Sequence, residues 1–288
     1  MIVVELMGGL GNQLFQYAFG LWLSDKRQES VVWNVAYYDN RLVYCLKFFK
    51  NWLSGKLKIF IQNYRSFELL KFNLSTINLI KKTAGKTDIY IDKGSPDQLV
   101  ADVLNRKNNH FKGYWQYYQI CAEIRGKLLA EFSLKKAYLP DRRIVDRVKL
   151  AKNSVAVHFR RGDYFSKNGG ATSWSADLGD YYNQAIAFCE KKLQRPYFFV
   201  FSDDVGWSKK NWRWGDNVFF VSDSHLKDYQ EIYLMSLCQH QIIANSTFSW
   251  WGAWLNENKD KMVIAPKTWF ADGSMAPQGL IPDSWLQL

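Results

Sequence analysis

Several things are missing from this chain, and each absence excludes a class. Its four cysteines, Cys45, Cys121, Cys189 and Cys238, show no CxxC spacing, so neither a disulfide framework nor a zinc ribbon is expected and the thiols read as buried. No apolar run approaches the roughly 18 to 20 residues that span a bilayer. The start, Met1 to Met7, has no basic n-region, so no signal peptide is expected and the chain is placed in the cytoplasm. No repeat or low-complexity segment is present. The residues that are there, 48% hydrophobic and 17% aromatic over 288 positions, exclude disorder and supply one large core or two ordinary ones.

Acidic residues are scarce in one place. Between positions 41 and 86 ten lysines and arginines face a single acid, Glu68, which accounts for nearly all of the net charge of +11. The balanced remainder argues against a uniform nucleic-acid coat and for one basic face, and no nucleic-acid partner is expected. Leu46, Phe49, Trp52 and Leu53 with lysines between them suit an amphipathic helix. Such a helix packs on a core with its lysines solvated, or lies on an anionic membrane as a peripheral contact.

Strands followed by glycine loops and helices dominate the rest. Residues 2–6 form an apolar run, Gly8, Gly9 and Gly11 a flexible turn, and Asn12 and Gln13 open a helix. That is the first unit of a Rossmann-type domain, although it has neither the G-x-G-x-x-G spacing nor the lysine of a P-loop. A glycine turn feeding a helix start still offers free N–H groups to an oxygen-rich ligand. A second strand is expected at 31–35, a strand and loop at 111–116, and a helix over 120–132. After a charged helix at 142–152 the alternation becomes regular. Strands at 154–159, 197–202, 218–221, 241–244 and 262–265 and helices at 180–192, 228–238 and 247–256 predict a second Rossmann-like domain. The expected division is 1–150 and 151–288.

Chemistry gathers where these strands end. His158-Phe159-Arg160-Arg161-Gly162-Asp163-Tyr164 sets two guanidinium groups and a carboxylate at a strand terminus, where α/β sheets bind ligands and where paired arginines suit an anion. Asp203 and Asp204 follow the next strand, able to bind a metal, accept from a base edge or a ribose, or cap a helix. The D-x-D pattern of many metal-dependent sugar-nucleotide transferases is absent. Asn245, Ser246, Thr247, Phe248 and Ser249 bring hydroxyl and N–H groups to a helix start, a ready phosphate site, with Trp250, Trp251 and Trp254 as core. Together these describe a nucleotide-diphosphate pocket.

Four stretches, 8–18, 158–164, 201–204 and 245–255, in this order, resemble the motifs of the α-1,2-fucosyltransferase family, glycosyltransferase family 11, in its bacterial form. The resemblance implies a GT-B fold, with two Rossmann-like domains facing across a cleft, the first on the acceptor side and the second binding the donor. It implies inverting transfer from GDP-β-L-fucose to the 2-hydroxyl of a galactose- or N-acetylgalactosamine-containing glycan, carried on a lipid in O-antigen synthesis, with no cofactor and no required metal. By the same analogy Arg160 binds the β-phosphate, Arg161 and His158 shape the phosphate site, and Asp163 orients an arginine. Asp203 or Asp204 reads guanine, Asn245 to Ser249 meet the phosphates, and Asn12 lies near the reacting sugar. A fucosyltransferase of other linkage (α-1,6 or protein O-fucosyl) and a non-catalytic GDP-sugar-binding module stay open as alternatives.

Overall fold

The computed structural model describes residues 1–38, 65–75, 77–81, 89–92, 102–105, 109–161, 178–212 and 214–288. Most of the basic stretch 41–86 lies outside them, as do Cys45, Gly162, Asp163 and Tyr164. The chain divides into two compact units: Met1–Ser133 with Pro277–Pro282, and Leu134–Ala276 with Asp283–Leu288. The division thus falls earlier than the expected 150, and a short C-terminal segment returns to the first unit. The charged helix α4, Arg142–Leu150, belongs to the second unit because it buries Val148 and packs on a helix there instead of linking the two.

In the first unit β1 (Ile2–Glu5), α1 (Leu10–Arg27) and β2 (Val31–Asn34) form the expected opening. With β3 (Leu79–Ile80), β4 (Ile89–Ile91) and β5 (His110–Lys112) they make a sheet of order β3-β2-β1-β5-β4 with every pair parallel. Parallel strands are covered on their faces, and α1 covers this sheet with a thoroughly apolar side: Leu14, Phe15, Ala18, Phe19 and Leu23 are fully buried. Phe19 stacks on Trp115 at 3.9 Å and Tyr17 on Trp33 at 4.7 Å. The helix expected over 120–132 is broken into α2 (Tyr118–Glu123) and α3 (Arg125–Glu131), because Ile124 at φ −112°, ψ 25° leaves the helical region.

The second unit holds β6 (Ser154–Phe159), α5 (Gly179–Lys192), β7 (Tyr197–Ser202), α6 (Val205–Asn211), β8 (Val218–Phe220), α7 (Asp228–Leu237), β9 (His240–Ile242), α8 (Thr247–Trp254) and β10 (Val263–Ala265). A last short strand, β11 (Leu286–Gln287), pairs with β10 and was not anticipated. The order β11-β10-β9-β6-β7-β8, all parallel, is the doubly wound 3-2-1-4-5-6 arrangement read from β8. Its core packs Phe159 between Tyr182 (4.4 Å) and Trp212 (4.5 Å), while Trp250, Trp251 and Trp254 are buried as expected. Cys121, Cys189 and Cys238 are buried free thiols. No helix among the described residues is long and apolar enough to cross a membrane.

Candidate functional site

In a doubly wound sheet the ligand crevice opens at the carboxyl ends of the two strands where the winding reverses. Here these are β6 and β9. Arg160 and Arg161 leave β6 at that edge, and Asn245 to Ser249 carry the chain from β9 into α8, so the topology brings the two motifs to one place. The ring of Phe248 lies 5.4 Å from that of His158 across the gap.

Asp203 organises the arginines. The β6–β7 register pairs Phe159 with Ser202, so the next residue of each strand also falls side by side. Asp203 Oδ2 accepts from Arg160 Nη1 at 2.9 Å and Oδ1 accepts from the Arg161 backbone N–H at 2.8 Å. The two side chains are 20% and 23% exposed, withdrawn enough for the pair to fix the guanidinium yet open to an incoming anion. The Arg161 guanidinium turns elsewhere: it lies 3.9 Å over the Trp207 ring, with Nε 3.8 Å from Asp204. The two arginines expected to share a phosphate site therefore diverge, and Arg160 is the one set on the crevice edge by Asp203.

Asp204 caps α6, its Oδ1 accepting from the Trp207 N–H at 3.1 Å, while its own N–H donates to Ser202 Oγ. Both aspartates are thus engaged locally, and this geometry gives no support to guanine reading by either. Asp163, expected to orient an arginine, lies outside the described residues. His158 is 3% exposed, and burial followed by the nearby Arg160 charge pushes its pKa down to about 3. A neutral, buried imidazole packs the site without adding charge to it.

The α8 motif is partly scaffold. Ser246 is the N-cap, accepting from the Phe248 N–H at 3.3 Å. Ser249 is buried, its Oγ accepting from the Ala244 N–H and donating to the Ser246 carbonyl. Asn245 Nδ2 donates to the Trp269 carbonyl at 2.7 Å. Thr247, at the first helical position, is half-buried at the open end of α8.

In the first unit β1 and β5 are neighbours, and the glycine loop follows the carboxyl end of β1. Gly8 sits at φ +81°, a conformation that favours glycine, and a Cβ there would push on the Asn12 side-chain amide at 2.8 Å. Gly9 caps α1, its carbonyl accepting from the Asn12 and Gln13 N–H groups, and Gly11 is buried in the first turn. Gln13, expected among loop residues facing a ligand, is fully buried. It donates to the Gly8 and Ser66 carbonyls and accepts from the Glu68 N–H. Asn12 is brought beside the turn that follows β5, where its Oδ1 accepts from Gln116 Nε2 at 3.1 Å. Gln116 and Arg65, whose Nε approaches the Gly9 Cβ position at 3.6 Å, were not singled out from sequence. A signal existed for Gln116, since Gly113 to Gln116 repeats the pattern of a glycine turn and an amide after a strand. Glu5, beside the same loop, pairs with His110 at 3.1 Å and Lys112 at 3.5 Å.

A family profile described as Glycosyl transferase family 11 matches residues 1–288. The O-antigen biosynthesis glycosyltransferase WbnK of Escherichia coli is 33% identical over 302 residues, covering 98% of this chain and 99% of the relative. An alpha-1,2-colitosyltransferase, also of Escherichia coli, is 30% identical over 298 residues, covering 100% and 98%. The crystal structure of fucosyltransferase NodZ from Bradyrhizobium superposes with a TM-score of 0.50 at 13% identity, over 87% of this chain and 91% of that one, a likeness of fold. Two Rossmann-type units in one chain make the GT-B plan. Matched along its whole length, this glycosyltransferase belongs to glycosyltransferase family 11.

Proposed function

We propose that the enzyme transfers L-fucose from GDP-β-L-fucose, with inversion, to the 2-hydroxyl of a galactose or N-acetylgalactosamine residue of a bacterial surface glycan. The observation that carries this reading is the Arg160 guanidinium, held by Asp203 at the winding reversal opposite the start of α8. As the bond from the sugar to the β-phosphate lengthens, negative charge grows on the departing GDP and positive charge on the anomeric carbon. A pre-placed guanidinium stabilises that diphosphate without reorganising. Asp203 keeps it oriented, and the Thr247 end of α8 supplies N–H groups to the same anion. The loose, oxocarbenium-like transition state places modest demand on the attacking hydroxyl, and the reading routes no step through a metal.

The names of the relatives support α-1,2 transfer in O-antigen synthesis and favour one second reading. Colitose is L-fucose without its 3-hydroxyl, so a GDP-activated 3-deoxy sugar is the competing donor. Rates with the two GDP-sugars at equal concentration separate the readings, fucose being preferred on ours. Losing one pre-placed donor costs on the order of 3 kcal/mol, so Arg160→Ala should lower kcat by about 10²- to 10³-fold; near-normal kcat with GDP-fucose sinks the mechanism. The basic stretch 41–86 fits a role in holding the enzyme on the inner face of the plasma membrane, near a lipid-linked acceptor. Salt-sensitive sedimentation with anionic liposomes tests that, and its absence refutes it.

A further inference from the structure

Behind the Arg160–Asp203 pair a hydrogen-bonded line runs away from the crevice to an acid on α7. The Ser202 backbone N–H, one residue before Asp203, donates to Ser222 Oγ at 3.0 Å. That hydroxyl donates in turn to Glu231 Oε1 at 2.7 Å. An ionised Glu231 accepts from the Ser222 hydroxyl and a protonated one can donate to its second lone pair, so the line holds in either state. Ser202 Oγ meanwhile accepts from the Asp204 N–H at 3.0 Å, so the turn from β7 into α6 is pinned at both of its ends.

We propose that Glu231 is a positioning residue for donor binding: through Ser222 it fixes the Ser202–Asp204 turn, and so sets the Asp203 carboxylate against Arg160. The proposal rests on reading Arg160 as the diphosphate-binding group. Three features support it beyond the distances. Glu231 projects from the first turns of α7, a helix anchored by Ile232, Leu234 and Met235 in the core, so the far end of the line is rigid. The Ser222 end lies in a one-turn 3-10 segment, Val221–Ser224, that directly follows β8, next to β7 in the sheet. Glu231 also communicates with the site by charge. Burial raises its pKa to about 7 against the lowering effect of the Ser222 hydrogen bond, with the neighbouring Asp228 and Asp203 carboxylates adding to the rise. A neutral Glu231 leaves Asp203 as the acid nearest Arg160 on this line; an ionised one adds a second negative charge behind it and opposes an anionic ligand.

Among the described residues, the elements packed around Glu231 carry these charged groups. On its own helix Asp228 acts on it by charge, as does Asp203 just after β7, and the 3-10 segment carries Asp223, which pairs with Lys209. On β6 the titratable group is His158, held neutral by burial. The helix α8, packed on α7, has no titratable side chain. On α4, also packed on α7, Arg142 pairs with Asp146, Arg143 with Asp141, Arg147 lies over the Phe219 ring, and Lys149 completes the set.

The test is calorimetric binding of GDP to the full chain from pH 6 to 8.5, for wild type, Glu231→Gln, Glu231→Leu, Ser222→Ala and Arg160→Ala. GDP titrates in this range, so ratios of Kd between proteins are read, which cancels the ligand's own change. The Kd of wild type relative to Glu231→Gln should rise by about threefold or more between the two limits, the charge being present in one protein only. Glu231→Leu and Ser222→Ala, which break the line, should weaken GDP at both limits by about fivefold or more. Melting temperatures confirm that each variant is folded, and an unfolded Leu variant leaves the Gln ratio and Ser222→Ala to decide. A flat wild-type-to-Gln ratio together with unchanged binding by Ser222→Ala overturns the proposal. If instead Arg160→Ala binds GDP as wild type does, the reading of the site itself fails.

Discussion

Replacing Asp203 by asparagine changes one atom at the point where the site is organised. Asparagine keeps a carbonyl oxygen for the Arg161 N–H, now at 2.8 Å from Oδ1, but sets an NH2 group against Arg160 Nη1, now at 2.9 Å from Oδ2. A hydrogen bond to a charged group contributes about 1.5–3 kcal/mol. With the side chains 20% and 23% exposed, the lower part of that range applies, about 1.5–2 kcal/mol, which is roughly ten- to thirtyfold. Because Arg160 is asked to stabilise the departing diphosphate, the loss should fall on kcat/KM for the donor, read as GDP release at subsaturating GDP-fucose. The neighbouring aspartate is the internal control. Asp204 serves α6 as a cap, and asparagine caps about as well as aspartate, so Asp204→Asn should stay within about threefold of wild type. A kcat/KM within about threefold for Asp203→Asn, or equal losses at both positions, refutes the reasoning.

Other expectations follow from packing and burial. A Cβ on Gly252 would lie 2.7 Å from Met235 Cβ, where α8 crosses α7, so Gly252→Ala should cost about 1–3 kcal/mol and lower the calorimetric Tm by several degrees. Cys121, Cys189 and Cys238 are buried, with burial pushing the Cys189 thiol up to about 12, so no more than one of the four thiols should react with Ellman's reagent before unfolding. Glu231 binds its proton more tightly folded than unfolded, so its contribution is full below about pH 4.5 and is lost as pH rises through about 7. Relative to Glu231→Gln, wild type should lose at most about 3 kcal/mol over that window in denaturant titrations, and parallel pH profiles would contradict this.

The strands were the legible part. Residues 154–159 and 197–202 are read from sequence with their observed bounds, because a strand buried on both faces is a continuous apolar run bounded by polar residues. The break at Ile124 was hidden, since a one-residue departure leaves the helical period on either side intact. The boundary at 133 was hidden for a related reason: the charges of α4 look like a solvated linker, and the burial of Val148 that ties the helix to α7 is a single position. At the candidate site, residue types at strand ends singled out Arg160, Asn12 and the α8 start. What they could not supply was register. Arg160 and Asp203 are 43 positions apart and meet only because β6 and β7 pair in parallel with Phe159 beside Ser202. The roles expected for Gln13 and Ser249 went to scaffolding for the same reason, as their backbone partners are set by tertiary packing.

The most direct test of the central claim is the product itself. With GDP-β-L-fucose and a terminal galactoside, two-dimensional NMR of the purified product should show an α-anomeric fucose proton correlated through three bonds with galactose C-2. A β-anomer, a correlation to any other galactose carbon, or free fucose as the sole product would contradict the account.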